Sequence, residues 1–207
     1  MEREGITIAL AKGRIMKDCI NLLAKSGLVT KAINERTRKL IFQIGKYTIL
    51  SCKPADVPKY VELGTADCGI VGSDCISESQ CDVYEPIELN FGKCKMVIAA
   101  KKNKKIEFSP GTELTVATKF PNITRKFFLQ NKMVANIIYL NGSVELAPLV
   151  GLSDVIVDIT ETGETIKKNN LKIIKKITDI TAKFIVNKNS YRIKEKIIKE
   201  FSNRLKK

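Results

Sequence analysis

The chain is expected to be an α/β protein of two lobes, on three observations. Short β-branched runs alternate with stretches of helical spacing almost from end to end, the pattern of βαβ units and parallel sheets. The 207 residues suffice for one large or two small cores. A polar excursion, KKNKKIEFSPGTE at 101–113, falls between two such stretches and fits a division into lobes or a break between strands. We see no internal repeat.

Ile6 to Leu10 opens as a strand, and Ala11-Lys12-Gly13-Arg14 is the turn after it. Ile15, Cys19, Leu22 and Leu23 then recur at helical spacing up to Gly27, a natural helix stop. A basic, glycine-bearing turn between a first strand and first helix faces the carboxyl edge of a sheet, where α/β proteins bind ligands. The plainer alternative is an exposed Lys and Arg beside a loop. Residues 31–46 are basic and polar, with Arg38 leading a short strand over Lys39 to Gln43. Tyr47 to Cys52 is the next strand. Lys53-Pro54-Ala55-Asp56-Val57-Pro58 opens a helix through Leu63, closed by Gly64, with Asp56 as the expected N-cap. Ala66 to Val71 is a strand, and Gly72-Ser73-Asp74 turns into a short helix that Asp74 could cap.

Val83 to Leu89 and Met96 to Ala100 are strands flanking Asn90-Phe91-Gly92-Lys93-Cys94-Lys95. Cys94 reads as packing, because nothing in the sequence supplies a base beside it. Leu114 to Thr118 is a strand, and a helix starts in Lys119-Phe120-Pro121-Asn122 and runs to about Gln130. Ala135 to Leu140 is a strand entering the turn Asn141-Gly142-Ser143. A β-rich segment, Leu171 to Asn187, and a helix, Tyr191 to Leu205, follow near the end.

The most informative stretch is Glu145 to Ile166, ELAPLVGLSDVIVDITETGETI. Ser153 to Ile159 is a short apolar run, a buried strand. Asp158 stands in it where the pattern wants another aliphatic residue. Thr160-Glu161-Thr162-Gly163-Glu164-Thr165 follows, and Ile166 to Asn169 have helical character. Strand, hydroxyl-bearing turn and helix start aim backbone N–H groups and the positive end of a helix at an anion. Thr162 and Thr165 add hydroxyls, and Gly163 permits close approach of a phosphate. An acid ahead of such a turn suits sugar hydroxyls or a Mg²⁺ that bridges phosphates. Taken alone, the turn is better read as an ordinary joint with Thr162 as N-cap; the acid ahead of it and the polar cluster Asn141-Gly142-Ser143 with Glu145 shift the balance to a ligand.

Composition narrows the chemistry. Lys plus Arg, 36, exceed Asp plus Glu, 22, for a net charge of +14, which favours anionic ligands. Much of that charge lies in Lys runs with few aromatics interleaved, so nucleic acid is not the expected partner. Cys19, Cys52, Cys68, Cys75, Cys81 and Cys94 form no CxxC pair, and there is no histidine. This argues against zinc and for reduced thiols in the cytoplasm. Residues 1–5 are charged and lead into a strand, so no signal peptide is expected, and no segment has the apolar length of a membrane span. Without histidine, catalysis falls to carboxylates, amines, hydroxyls or electrostatics.

The spaced pattern of Glu145, Gly151, Ser153, Ile156, Asp158-Ile159, Thr162-Gly163 and Thr165 resembles the signature of the ATP phosphoribosyltransferase family. Only Ile166 departs visibly, where the family has Leu or Met. Lys12-Gly13-Arg14 after the first strand, Gly72-Ser73-Asp74, and Phe91-Gly92-Lys93-Cys94 also match. Lys53 stands where the family commonly has Arg, Asn90 where it has Gly, and Phe120 where it usually shows Tyr.

The resemblance implies a type II periplasmic-binding-protein-like pair of α/β lobes around a cleft. The first would hold residues 1–90 and 180–207, the second 91–179. It implies the transfer of phosphoribosyl from phosphoribosyl pyrophosphate to N1 of ATP, with Mg²⁺, opening histidine biosynthesis. Asp158 and Glu145 would hold ribose hydroxyls or Mg²⁺, with Asp158 as the metal ligand, and Glu161, Thr162, Gly163, Glu164 and Thr165 would cradle the 5′-phosphate. Lys12, Arg14 and Lys53 would be the catalytic cations neutralising pyrophosphate and triphosphate. Asp74 and Phe120 would serve ATP, Phe120 by stacking on adenine. The chain looks like the short form, a homodimer in a hetero-oligomer with a regulatory subunit resembling histidyl-tRNA synthetase. A cytosolic ligand sensor of the same fold and a basic nucleic-acid binder are the competing readings.

Overall fold

The computed structural model describes residues 5–27, 33 and 38–206. The expectations placed on residues 1–4 and on the basic stretch 31–37, Ile33 apart, lie outside the described residues. In chain order the elements are β1 Ile6–Ala11, α1 Met16–Lys25, β2 Ile41–Ile44, β3 Tyr47–Cys52, α2 Val57–Glu62, β4 Cys68–Gly72, α3 Ser73–Ser79 and β5 Tyr84–Glu88. Then come β6 Cys94–Lys101, β7 Glu113–Thr118, α4 Pro121–Gln130, β8 Val134–Tyr139, α5 Leu146–Leu149, β9 Val155–Thr160, α6 Glu164–Lys168 and β10 Leu171–Ile180. The chain closes with β11 Ala182–Val186, α7 Lys188–Ile193 and α8 Glu195–Leu205.

These elements form two compact units, one ending at Gly92 and resuming at Thr181, the other spanning Lys93–Ile180. The first unit holds a sheet ordered β2-β3-β1-β4-β11-β5. The second holds one ordered β10-β6-β9-β7-β8. Neither sheet is wholly parallel, contrary to the simplest reading of the βα alternation. The chain supplies the reason. β2 and β3 are joined by the two-residue turn Gly45-Lys46, which can only make an antiparallel hairpin. β6 and β11 each enter from the other unit without a crossover helix, and each runs antiparallel to its neighbours. Strands linked by helices, such as β7 with β8, remain parallel.

Residues on both faces of the second sheet are buried. Met96, Ile98, Val155 and Val157 pack into one cluster, while Val97, Ala99, Ala117 and Ile156 pack into another. A strand covered on both sides loses its alternation, which is why Ser153 to Ile159 reads as a continuous apolar run. In the first unit α8 lays Ile198, Phe201 and Leu205 on the core beside Phe184.

Some local expectations change. The helix expected over Tyr191 to Leu205 is two helices, α7 and α8, broken at Lys194 (φ −115°, ψ 29°). Lys194 leaves the helical path and its Nζ donates to Asp67 Oδ2 at 2.9 Å and to the Gly5 carbonyl at 3.2 Å. Asp56 does stand at the N-cap of α2, as the last residue of a short 3-10 turn (Pro54–Asp56), but makes no side-chain cap hydrogen bond. The N-cap of α6 is Gly163 rather than Thr162.

Candidate functional site

In the second unit β9 ends in an open pocket of about 210 Å³ lined by Glu145, Asp158, Thr160, Glu161, Thr162, Glu164 and Thr165, with Ile159 and Ile166 at its apolar side. The loop after β9 is shaped from within. Thr160 Oγ1 accepts from the Gly163 N–H at 2.9 Å, and Thr162 Oγ1 from the Glu164 N–H at 3.3 Å. Gly163 takes φ +81°, a left-handed conformation that a side chain would strain, and α6 starts at the next residue. Among the described residues the N–H groups of Thr162 and Thr165 have no hydrogen-bond partner, and their exposed side chains stand beside them. That is an incomplete ring of donors at a strand-to-helix turn.

Asp158 sits two residues before the end of the ladder, paired with Val97 on β6. Its side chain is 18% exposed. Oδ1 accepts from the Ile159 N–H at 2.8 Å and lies 3.8 Å from Lys119 Nζ. Lys119 comes from a parallel neighbour: β7 pairs with β9 through Thr118 and Val157, so the residue after β7 arrives beside the residue after Val157. Buried Thr118 locks that edge, donating from Oγ1 to the Val157 carbonyl at 2.7 Å and accepting from the Phe120 N–H at 2.9 Å.

The pocket carries more acid than base. Four carboxylates line it, and among the described residues Lys119 pairs with Asp158 at 3.8 Å and Lys168 with Glu164 at 3.6 Å. An anion alone would meet net repulsion there. One accompanied by a divalent cation, or one presenting sugar hydroxyls to the acids, would not. No group of three or more His, Cys, Asp or Glu among the described residues could hold a metal by itself. The donors present are hard oxygens that suit a Mg²⁺ already sharing its shell with a ligand's phosphates.

In the first unit Lys12, Lys53 and Asp74 follow the carboxyl ends of β1, β3 and β4, adjacent strands running the same way. The Lys12 N–H donates to the Cys52 carbonyl at 2.8 Å, continuing the β1–β3 ladder into the turn. Arg14 is exposed and its Nη1 donates to the Gly92 carbonyl at 3.1 Å. Asp74 is buried, 8% exposed, in the first turn of α3. A Cβ on Gly72 would stand 2.2 Å from Asp74 Oδ1, so only glycine lets the carboxylate fold back over the strand end. Half-buried Cys52 lies beside this edge, and its thiol is pushed up to about 11 by burial and then by Asp56, with Lys12 opposing. Its thiolate is about a thousandth of the population at pH 8. Alkylation with iodoacetamide should therefore be far slower than for a free thiol at pH 8 and accelerate as pH approaches 11. Rapid modification at pH 8 would contradict that environment.

The structure thus gathers Glu145, Asp158, Glu161, Thr162, Glu164 and Thr165 at one pocket, and Lys12, Lys53 and Asp74 at one sheet edge. Phe120 joins neither. It is 5% exposed and packed in the second unit's core, with Lys119 Nζ 5.0 Å from its ring centre, so its face is not available to stack on a base. Sequence reasoning missed Lys119 and the shaping role of Thr160. Lys119 was visible only as the neighbour of an aromatic, since nothing local says that β7 lies next to β9.

Known proteins share this pattern. The family model described as HisG, ATP phosphoribosyltransferase, matches residues 53–207. The ATP phosphoribosyltransferase of Aquifex aeolicus is 46% identical over 200 residues, covering 97% of this chain and 93% of its own. That of Clostridioides difficile is 51% identical over 191 residues, covering 91% of each chain. Among solved structures, the ATP phosphoribosyl transferase (HisG:HisZ) complex from Thermotoga maritima superposes with a TM-score of 0.85 at 37% identity, covering 97% of this chain and 96% of that one. Protein AF1704 from Archaeoglobus fulgidus, at 9% identity and a TM-score of 0.56, shares the fold alone.

Proposed function

The chain belongs to the ATP phosphoribosyltransferase family, and on that premise we propose how its residues divide the work. The fold is the two-unit α/β architecture of the type II periplasmic-binding-protein-like class. The activity is that of a pentosyltransferase: N1 of ATP and C1 of phosphoribosyl pyrophosphate condense to phosphoribosyl-ATP and pyrophosphate, the first step of L-histidine biosynthesis.

The observation that carries the assignment of roles is the single pocket shared by Asp158 and the Thr160 to Thr165 turn. The N–H groups and hydroxyls of Thr162 and Thr165 receive the 5′-phosphate, and Gly163 keeps the turn open to it. Asp158 and Glu145 take the ribose hydroxyls, which holds C1 at a fixed height above the turn. Charge at C1 becomes oxocarbenium-like as pyrophosphate leaves, and nearby carboxylates stabilise it in place without a covalent step. Mg²⁺ bound with the pyrophosphate would screen its charge, and Asp158 is the residue that would hold it. Lys12, Arg14 and Lys53 supply cations for pyrophosphate and triphosphate, and Asp74 a polar contact for ATP. N1 of a purine is already a lone-pair nucleophile, so alignment replaces a catalytic base.

The Thermotoga maritima relative was solved as a HisG:HisZ complex. We take this chain to assemble in the same manner, as a homodimer within a hetero-oligomer with a histidyl-tRNA-synthetase-like subunit, in the cytoplasm. No helix among the described residues is long and apolar enough to cross a membrane. The test is the ultraviolet absorbance of phosphoribosyl-ATP formed from ATP, phosphoribosyl pyrophosphate and Mg²⁺ with pyrophosphatase, with and without that subunit. Product that rises on adding the subunit supports the assembly. No product under either condition, with both ligands still bound, would favour a ligand sensor.

Lys53 is exposed after β3, where a larger guanidinium meets no obstacle from burial. Lys53→Arg should therefore retain or raise kcat/KM, because the fork binds phosphate oxygens in pairs. A loss of about tenfold or more would mean that this position is not used as in the family, where Arg is common.

A further inference from the structure

Gly151 and Ser153 of the spaced signature are among its members that do not line the Asp158 pocket. They precede β9, whereas Asp158 is near its end, about 16 Å further along the strand. Here Lys101, Lys104, Thr115, Ser153 and Asp154 line a second open pocket of about 150 Å³, several times the ~30 Å³ share of one water.

Two of the groups satisfy each other. Asp154 Oδ1 accepts from Lys104 Nζ at 2.6 Å and Oδ2 from the Thr115 N–H at 2.8 Å, while the Asp154 N–H donates to the Thr115 carbonyl at 2.8 Å. Lys104 beside it holds the Asp154 carboxyl below the usual carboxylate range. Two donors are left over. Ser153 is 8% exposed, and its Oγ is buried with no hydrogen-bond partner. Lys101, the last residue of β6, has no ion-pair or side-chain hydrogen-bond partner among the described residues. A buried hydroxyl without a partner is disfavoured in a native fold, so Ser153 Oγ calls for an acceptor. With Asp154 already neutralised by Lys104, Lys101 leaves the pocket net positive. A polar lining disfavours an apolar ligand, and that charge disfavours a cation.

We propose that this pocket is a second oxyanion site, taking a phosphate or carboxylate group between the Lys101 ammonium and the Ser153 hydroxyl. It is separate from the phosphoribosyl pocket, so its occupancy is read independently of catalysis.

The test is a titration of the ¹⁵N-labelled full chain with sodium phosphate and, separately, sodium acetate at constant ionic strength, followed by backbone amide shifts. The amides of Lys101, Leu152, Ser153 and Asp154 are expected to shift saturably. Tighter saturation by phosphate assigns the site to phosphate groups, and tighter saturation by acetate assigns it to carboxylates. Lys101→Ala should weaken the response by about tenfold and Ser153→Ala by a few fold. Both should leave the amides of Thr160 to Thr165 where they stand in the parent chain. Failure of these amides to shift with either anion, or a response unchanged in Lys101→Ala, would overturn the proposal. So would a Ser153→Ala chain with raised thermal stability and an undiminished anion response, since the hydroxyl would then be only a packing defect.

Discussion

Asp158→Asn is expected to lower turnover of phosphoribosyl pyrophosphate by about two to three orders of magnitude, the size of effect seen when a preorganised electrostatic group is removed from a reacting centre. The substitution is nearly isosteric. Asn keeps a side-chain oxygen for the Ile159 N–H, 2.8 Å away in the parent, so the strand end should hold its shape. What disappears is the charge that faces Lys119 at 3.8 Å and that would face Mg²⁺ or the developing cation at C1. The fall should lie mainly in kcat, with urea unfolding of the variant close to that of the parent. Near-normal kcat together with a near-normal KM for phosphoribosyl pyrophosphate would remove Asp158 from the site.

Asp67→Ala should cost about 2–4 kcal/mol of folding stability, the largest loss we expect from any polar side chain in the first unit. Asp67 is 5% exposed. Its Oδ2 accepts from the Thr7 N–H at 2.8 Å and from Lys194 Nζ at 2.9 Å, and its Oδ1 from Ser190 Oγ at 2.7 Å. One carboxylate thereby joins β1, α7 and the break before α8. Its removal leaves the Thr7 N–H and the Lys194 ammonium without their carboxylate acceptor, which costs more than the lost attraction alone. Lys194 is partly exposed, which keeps the figure below that of a fully buried pair. Exposed pairs such as Lys199 with Glu195 are worth a fraction of this. Urea unfolding of both proteins gives the difference, and a loss under about 1 kcal/mol would show that the network is incidental.

Much of this architecture is legible in the chain because its cues are local. Gly27 and Gly64 stop helices, Tyr47 to Cys52 is a strand by composition, and Asp158 is conspicuous as an acid in an apolar run. The turn from Thr160 to Thr165 carries its own chemistry, so most of the residues that line its pocket are legible together. What was not legible depends on partners distant in sequence. Lys119 reaches Asp158 only because β7 lies beside β9, and sheet order leaves no mark on either strand. Phe120 is expected from the resemblance to stack on adenine, but the Thr118 hydroxyl holds its N–H and the ring packs in the core. The break at Lys194 has no Gly or Pro to announce it. It follows from Asp67, more than a hundred residues earlier in the chain.

The central claim is that the turn after β9 seats the phosphoribosyl group. A crystal structure with phosphoribosyl pyrophosphate and Mg²⁺ bound tests it most directly. The account predicts the 5′-phosphate within hydrogen-bond distance of the Thr162 and Thr165 N–H groups and the ribose hydroxyls on Asp158 or Glu145. A 5′-phosphate seated instead on Lys12, Arg14 and Lys53, with the Thr160 to Thr165 turn unoccupied, would contradict it.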